Sequence, residues 1–330
     1  MTNFITRVRI PEPAFKIDYQ SDVLLMGSCF TENIGKRLKL LKFSVTHNPF
    51  GVVYNPISLS DQINLLLNKE SFNKEDLNFF NELWFSYSHY TLFSDPVRDK
   101  CLEKINQSFN QGKKFIRSAK VIFLTLGTSY VYTNIETGKV VANCHKIPAR
   151  NFKRYFSSVG NTVRHLKTAI NEIRRINPKV HFVITVSPIR HWKDGAIENQ
   201  RSKAALLLSI SQLQEAYDDI YYFPVYEFFM DELRDYRYYA DDMLHPSSLA
   251  INLVWERFSE IFLSSESKSI ANEVQKIITG LEHRPNQVKT KAYKAFLSDL
   301  QKKISTVAKA YPFLDFSGEE TSLKSLFNKN

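Results

Sequence analysis

The chain has 330 residues, 43% of them hydrophobic, and its 44 Lys and Arg against 34 Asp and Glu give a formal net charge of +10. That apolar fraction is ample for a large core, which excludes a disordered or fibrous chain, and no apolar run approaches the length of a membrane span. Three cysteines, Cys29, Cys101 and Cys144, lack C-x-x-C spacing, so neither a disulfide framework nor structural zinc is expected. The first residues lack the apolar core of a secretion signal, which makes a cytoplasmic protein with reduced thiols the expectation.

In chain order, an apolar run at 22–26 reads as a buried strand entering the turn Gly27-Ser28-Cys29, followed by helical periodicity from Thr31 to Leu41. Further strands are expected at 43–46, 121–126, 180–186 and 220–225. Helices are expected at Ser58 to Leu67, Asp99 to Ser118, Phe156 to Asn177, Asn199 to Tyr217 and Ser247 to Ser265, with Pro178 closing the third of these. Strands alternating with helices predict an α/β fold: a three-layer α/β/α sandwich around a mainly parallel sheet with flavodoxin-like layering. The aromatic-rich stretch from Phe79 to Tyr90 interrupts the alternation and reads as an insertion, near 72–98, over the sheet edge or the pocket mouth. From about residue 284, Tyr293, Phe296, Leu297, Leu300 and Ile304 fall at helical spacing. The expected division is therefore a catalytic domain at 1–283 and a C-terminal helical extension at 284–330, weakly ordered after Phe316.

Basic residues are scattered through amphipathic stretches such as Arg164 to Arg175 and Lys289 to Lys309. They predict a solvated surface rather than a nucleic-acid site, and an anionic substrate or partner stays open.

Two short segments carry chemistry. Ser28 stands at the carboxyl end of the first expected strand, where ligands bind in α/β sheets. Asp242-Met243-Leu244-His245 places a carboxylate three residues before an imidazole that it can orient, and the imidazole can activate a serine. Each has a plainer reading: Gly-Ser after a strand is a common tight turn and helix N-cap, and Asp before His-Pro-Ser-Ser is a capped helix start. Asp241 competes with Asp242 as the orienting acid, and Cys29 competes with Ser28 because a thiolate at a helix N-terminus is a strong nucleophile. An adjacent side chain points away from its neighbour's site, which favours Cys29 as a small buried hydrophobe.

Four segments, 26–35, 48–56, 187–195 and 242–246, run Met-Gly-Ser-Cys-Phe-Thr-Glu-Asn-Ile-Gly, Asn-Pro-Phe-Gly-Val-Val-Tyr-Asn-Pro, Ser-Pro-Ile-Arg-His-Trp-Lys-Asp-Gly and Asp-Met-Leu-His-Pro. In this order they resemble the bacterial GSCFA family within the SGNH (GDSL-like) hydrolase superfamily, over roughly residues 5–260. The resemblance implies an SGNH-hydrolase-like fold, with Ser28 as nucleophile, His245 as general base, Asp242 as its orienting acid and no cofactor. It also implies that Gly51, beside Asn48, supplies an oxyanion donor along with the Ser28 amide. The third donor of that superfamily is an Asn in a G-x-N-D motif, and this chain has Gly127-Thr128-Ser129-Tyr130 instead. Thr128, Ser129 or Asn143 are the candidate replacements. For Asn48 and Gly51, a turn with a hydrogen-bonding Asn is the competing reading.

Arg190 and His191 follow the strand at 180–186 and are expected to line the pocket. Arg190 can hold a substrate carboxylate or phosphate through its planar fork, or pair with Asp194. His191, His89 and His145 are alternative bases, and the absence of metal-ligand spacing disfavours metal. The expected function is a serine esterase or O-acyltransferase acting on an ester, with an O-acyl group on a carbohydrate or other small polar acceptor as the expected substrate. The alternative is a non-catalytic binding module for a polymer or protein.

Overall fold

The computed structural model describes residues 6–285, 287 and 290–328. Its centre is a five-stranded parallel sheet of β1 (Val23–Gly27), β2 (Val45–His47), β5 (Val121–Leu126), β9 (His181–Val186) and β10 (Ile220–Tyr222). The spatial order is β2-β1-β5-β9-β10, with Gly27 level with Thr125 and Leu126 level with Val186.

The strand residues are buried because both faces are covered. Val23 and Leu25 point into one core with Phe30, Ile34 and Leu38 of α1 (Cys29–Leu40), Phe258 of α7 (Ser248–Phe262) and Val274 of α8 (Ser265–Glu282). Their neighbours Leu24 and Met26 point into a second core. There they meet α2 (Pro56–Asn68), α3 (Arg98–Ser118), α4 (Val159–Ile176) and α5 (Gly195–Ala216) through Ile63, Phe109, Leu166 and Leu206. Each fully buried side chain of this kind contributes about 1.5–3 kcal/mol, so both faces hold the sheet. The expected three-layer α/β/α sandwich is the architecture found.

Two antiparallel sheets that the sequence reading did not separate join this core. A hairpin of β3 (Asn78–Phe80) and β4 (Leu83–Phe85) forms part of the aromatic insertion, and Phe85 stacks on His145 with ring centroids 4.2 Å apart. A three-stranded sheet combines β6 (Tyr130–Asn134), β7 (Val140–Val141) and β8 (Phe152–Phe156). Phe156, expected to start a helix, ends β8. The helix begins at Val159 because the Ser158 side chain caps it, accepting from the Asn161 amide.

A short helical segment, α6 (Val225–Glu227), follows β10. Beyond α8, α9 (Lys291–Ala310) and α10 (Ser317–Asn328) are helical, and Tyr293, Leu297, Ile304 and Leu323 are buried in the α1/α7/α8 core. The expectation of weak order after Phe316 is corrected over Ser317–Asn328. Buried Leu323 and the Lys42–Glu319 ion pair at 2.8 Å tie that helix down. Residues 329 and 330 lie outside the described residues. Among the described residues no helix is long and apolar enough to cross a membrane.

Candidate active site

The order β2-β1-β5-β9-β10 has its switch point between β1 and β5, where a crevice opens outside the carboxyl ends of the strands. Ser28 sits there as the N-cap of α1, only 1% exposed. Gly27, at φ +133°, brings the chain so close to β5 that a Cβ would lie 2.2 Å from the Thr125 carbonyl oxygen, so only glycine fits. The Ser28 hydroxyl has no hydrogen-bond partner.

The turn is braced by the loop after β2. Asn48 Oδ1 accepts from the Gly27 amide at 2.9 Å and from Thr31 Oγ1 at 3.2 Å, and Asn48 Nδ2 donates to Glu32 at 3.3 Å. The same loop donates from Val53 N to Gly27 O and accepts on Tyr54 O from the Gly127 and Thr128 amides. It thus ties the ends of β1 and β5 together. Asn48 is the hydrogen-bonding turn residue of the plainer reading, and its partners are backbone and side chains of the serine turn.

Asp242 and His245 form a self-contained turn before α7. Asp242 Oδ1 accepts from the Leu244 and His245 amides, each at 2.9 Å, while Oδ2 lies 2.6 Å from His245 Nδ1. The two backbone donors and then the imidazole hold the Asp242 carboxyl well below the usual range, at about 2. An ionised carboxylate cannot donate, so Nδ1 carries the proton of this hydrogen bond. Asp241 has no such contact with His245, and α7 is capped by Ser247, whose side chain accepts from the Ala250 amide.

The two halves are not joined by a hydrogen bond, since Ser28 Oγ has no partner. The expected oxyanion donors are also engaged elsewhere. The Ser28 amide donates to Thr125 O at 3.2 Å and the Gly51 amide to Asn48 O at 2.7 Å. Ser129 bonds Ser202 of α5 through its amide and its hydroxyl, and Thr128 Oγ1 is 3.1 Å from Ser202 Oγ. Asn143 accepts from the His145 amide and reaches Thr91, within the insertion. The physical reason is the turn after β5: Thr128 and Ser129, which stand where the Asn of the G-x-N-D motif would be, lead into β6 and are turned to Ser202 of α5.

Cys29 is half-buried beside the Tyr54 side chain, and burial pushes its thiol up, against the activated thiolate. His191 does reach the strand ends. A Cβ on Gly127 would be 3.3 Å from His191 Nε2, and the ring stands edge-on to Tyr54 at 5.3 Å. Burial, with Lys203 and Arg154 nearby, lowers its imidazole to about 4, so it is neutral at pH 7. His89 is fully buried among Phe50, Phe72 and Phe93, and His145 bonds the Ser86 carbonyl. Among the described residues no group of three His, Cys, Asp or Glu side chains is placed to hold a metal. Asp194 pairs with Arg154, and Arg190 lies 3.8 Å from Met230 Sδ in a cleft of about 690 Å³ that Asp242 also lines.

Lys203 was missed. It is 0% exposed on α5, and its ammonium donates to Gly127 O and Ser187 O, both at 2.6 Å, linking the carboxyl ends of β5 and β9. Burial, with Arg190 nearby, lowers it to about 7. In sequence it is one of many lysines on amphipathic helices, and only the folded neighbours distinguish it.

A family model described as "GSCFA family" matches residues 22–258, and one described as "GSCFA domain protein, C-terminal domain" matches residues 274–329. No curated protein matches the chain. Similar solved structures include a protein described as a platelet activating factor, from Streptococcus pneumonia (13% identity, TM-score 0.40, 73% of this chain and 83% of that one). A family two carbohydrate esterase from Clostridium thermocellum is 13% identical with a TM-score of 0.38, over 77% of this chain and 65% of that one. An acetyl xylan esterase from the rumen bacterium Butyrivibrio proteoclasticus is 12% identical with a TM-score of 0.33, over 63% of this chain and 56% of that one.

Proposed function

The chain belongs to the GSCFA family, and from that premise we propose that it is a cytoplasmic serine esterase or O-acyltransferase of the SGNH (GDSL-like) type. Its substrate is an ester of a carbohydrate or another small polar acceptor. The Asp242–His245 contact carries this reading. A carboxylate 2.6 Å from Nδ1 leaves Nε2 as the base that a serine hydroxyl requires.

Ser28 Oγ attacks the ester carbonyl as its proton passes to His245 Nε2. The tetrahedral intermediate then collapses, the C–O bond to the leaving alcohol breaks, and His245 returns the proton to that alcohol. Water or a second hydroxyl attacks the acyl-enzyme, gives its proton to His245, and Ser28 regains a proton as the acyl group leaves. Catalytic hydrogen bonds are often long in the unliganded state and tighten with substrate, so the lack of a hydrogen bond on Ser28 Oγ does not by itself oppose these steps.

A second reading, a non-catalytic binding module, is favoured by one observation: the Ser28 and Gly51 amides are both committed to backbone carbonyls. Hydrolysis of short-chain p-nitrophenyl esters by the wild type and by Ser28→Ala separates the two. Turnover lost in the variant sustains the esterase, whereas turnover absent from the wild type, or equal in both, leaves the binding module.

A further inference from the structure

The cleft beside the Asp242–His245 turn contains an uncompensated cation. Of the charged residues lining it, Arg234 faces Asp231 at 3.5 Å, Asp235 pairs with Arg237 at 2.9 Å and Asp242 is bound to His245. Arg190 alone has no carboxylate within ion-pair distance among the described residues, and its guanidinium meets Met230 Sδ at 3.8 Å. It is fixed at the site by its position three residues after Ser187, whose carbonyl is gripped by Lys203. The rest of the lining is apolar or aromatic and open to solvent: Trp192 is 54% exposed, Tyr236 80% and Met243 53%.

From this geometry we infer that the cleft receives an ester substrate whose acceptor carries a carboxylate, of the chemical class of an O-acylated uronate. The carboxylate meets the Arg190 guanidinium and the sugar ring lies on Trp192 or Tyr236. The inference rests on the proposed esterase reading for the role of the neighbouring Asp242–His245 turn. A planar carboxylate matches the two parallel N–H groups of one guanidinium. One unpaired cation balances one negative charge, and the acidic Asp235 and Asp242 on the same walls oppose a dianion such as phosphate. Aromatic faces accept the C–H-rich side of a sugar, as exposed Trp and Tyr do in polar recognition sites.

The test is a calorimetric titration of the full chain with methyl glucuronide and with methyl glucoside, which differ at one carboxylate. The wild type binds the glucuronide at least roughly tenfold more tightly, which is about 1.4 kcal/mol. Arg190→Gln abolishes the preference and Arg190→Lys restores part of it. Equal binding of the two sugars by the wild type, a preference that persists in Arg190→Gln, or displacement of the glucuronide by lower concentrations of inorganic phosphate each overturns the inference. Hydrolysis of p-nitrophenyl acetate by the wild type reads the esterase proposal separately. Without turnover but with the glucuronide preference intact, the esterase reading fails and the Arg190 site stands.

Discussion

Ser28 is 1% exposed at the end of β1, while the side chains of Asp242 and His245 keep 47% and 52% of their surface in solvent. The serine turn is fixed from outside itself, by Thr125 of β5, by Asn48 and, around it, by the loop that carries Gly51 and Tyr54. The Asp242–His245 turn is held by its own hydrogen bonds, with Met243 at φ +60° and bonds spanning only two to five residues. One half of the proposed site is therefore part of the sheet, and the other is a prebuilt unit on a connection. The difference locates motion: if the two halves react together, the exposed unit is the one that approaches.

The largest effect that sharpens this contrast is catalytic. In Asp242→Asn the turn no longer fixes the orientation and tautomer of the imidazole, and ester turnover falls roughly 1,000-fold or more, whereas Asp241→Asn stays within about twofold. Steady-state kinetics on p-nitrophenyl acetate decide it, and equal losses remove the assignment of Asp242.

Next come changes to the brace on the serine side. Gly51 has φ +80°, and a Cβ there would stand 2.3 Å from Tyr90 Cβ, so Gly51→Ala lowers stability by about 3 kcal/mol in denaturant titrations. An unchanged midpoint would show that the brace is soft. Lys203→Met leaves the Gly127 and Ser187 carbonyls without their donor. Relief from burying an ammonium offsets part of that loss, for a net destabilisation of about 2 kcal/mol. A variant as stable as the wild type would mean that the lysine is not holding β5 to β9.

A further effect comes with acid. Burial drives His89 down from 6.5 to about 3 and His145 to about 4. The unfolded chain takes up these protons first, so stability falls as pH drops from about 6.5 towards 4. His89 packs on Phe50 and the Tyr90 amide donates to Phe50 O, so the loosening reaches the serine brace. The Asp242 carboxylate, near 2, keeps its charge through that range. Hydrogen exchange at pH 7 and 4.5, corrected for intrinsic rates, should show lost protection at Tyr90 with little change at Leu244 and His245. Loss at both would erase the contrast.

The two regions were also legible to different degrees. The central strands could be read because runs such as Val121–Leu126 are buried on both faces and bounded by turns. The Asp242–His245 pair could be read because its geometry is local, set by a spacing of three residues. Ser28 could be placed but not its surroundings, which depend on Thr125 of β5 and on Asn48 and Tyr54 of the loop after β2. The small sheet of β6, β7 and β8 escaped because its strands pair with each other rather than with the core, and Phe156 lies two residues before the Ser158 cap. Lys203 escaped because a buried lysine and a solvated one look alike until Gly127 and Ser187 converge on it.

The central claim is that the buried serine, not its neighbouring thiol, is the nucleophile served by the exposed turn. Mass spectrometry of the full chain after treatment with a fluorophosphonate tests it most directly. The account predicts one covalent adduct, mapped to Ser28 and lost in His245→Ala. No adduct, or an adduct on Cys29 or elsewhere, would contradict it.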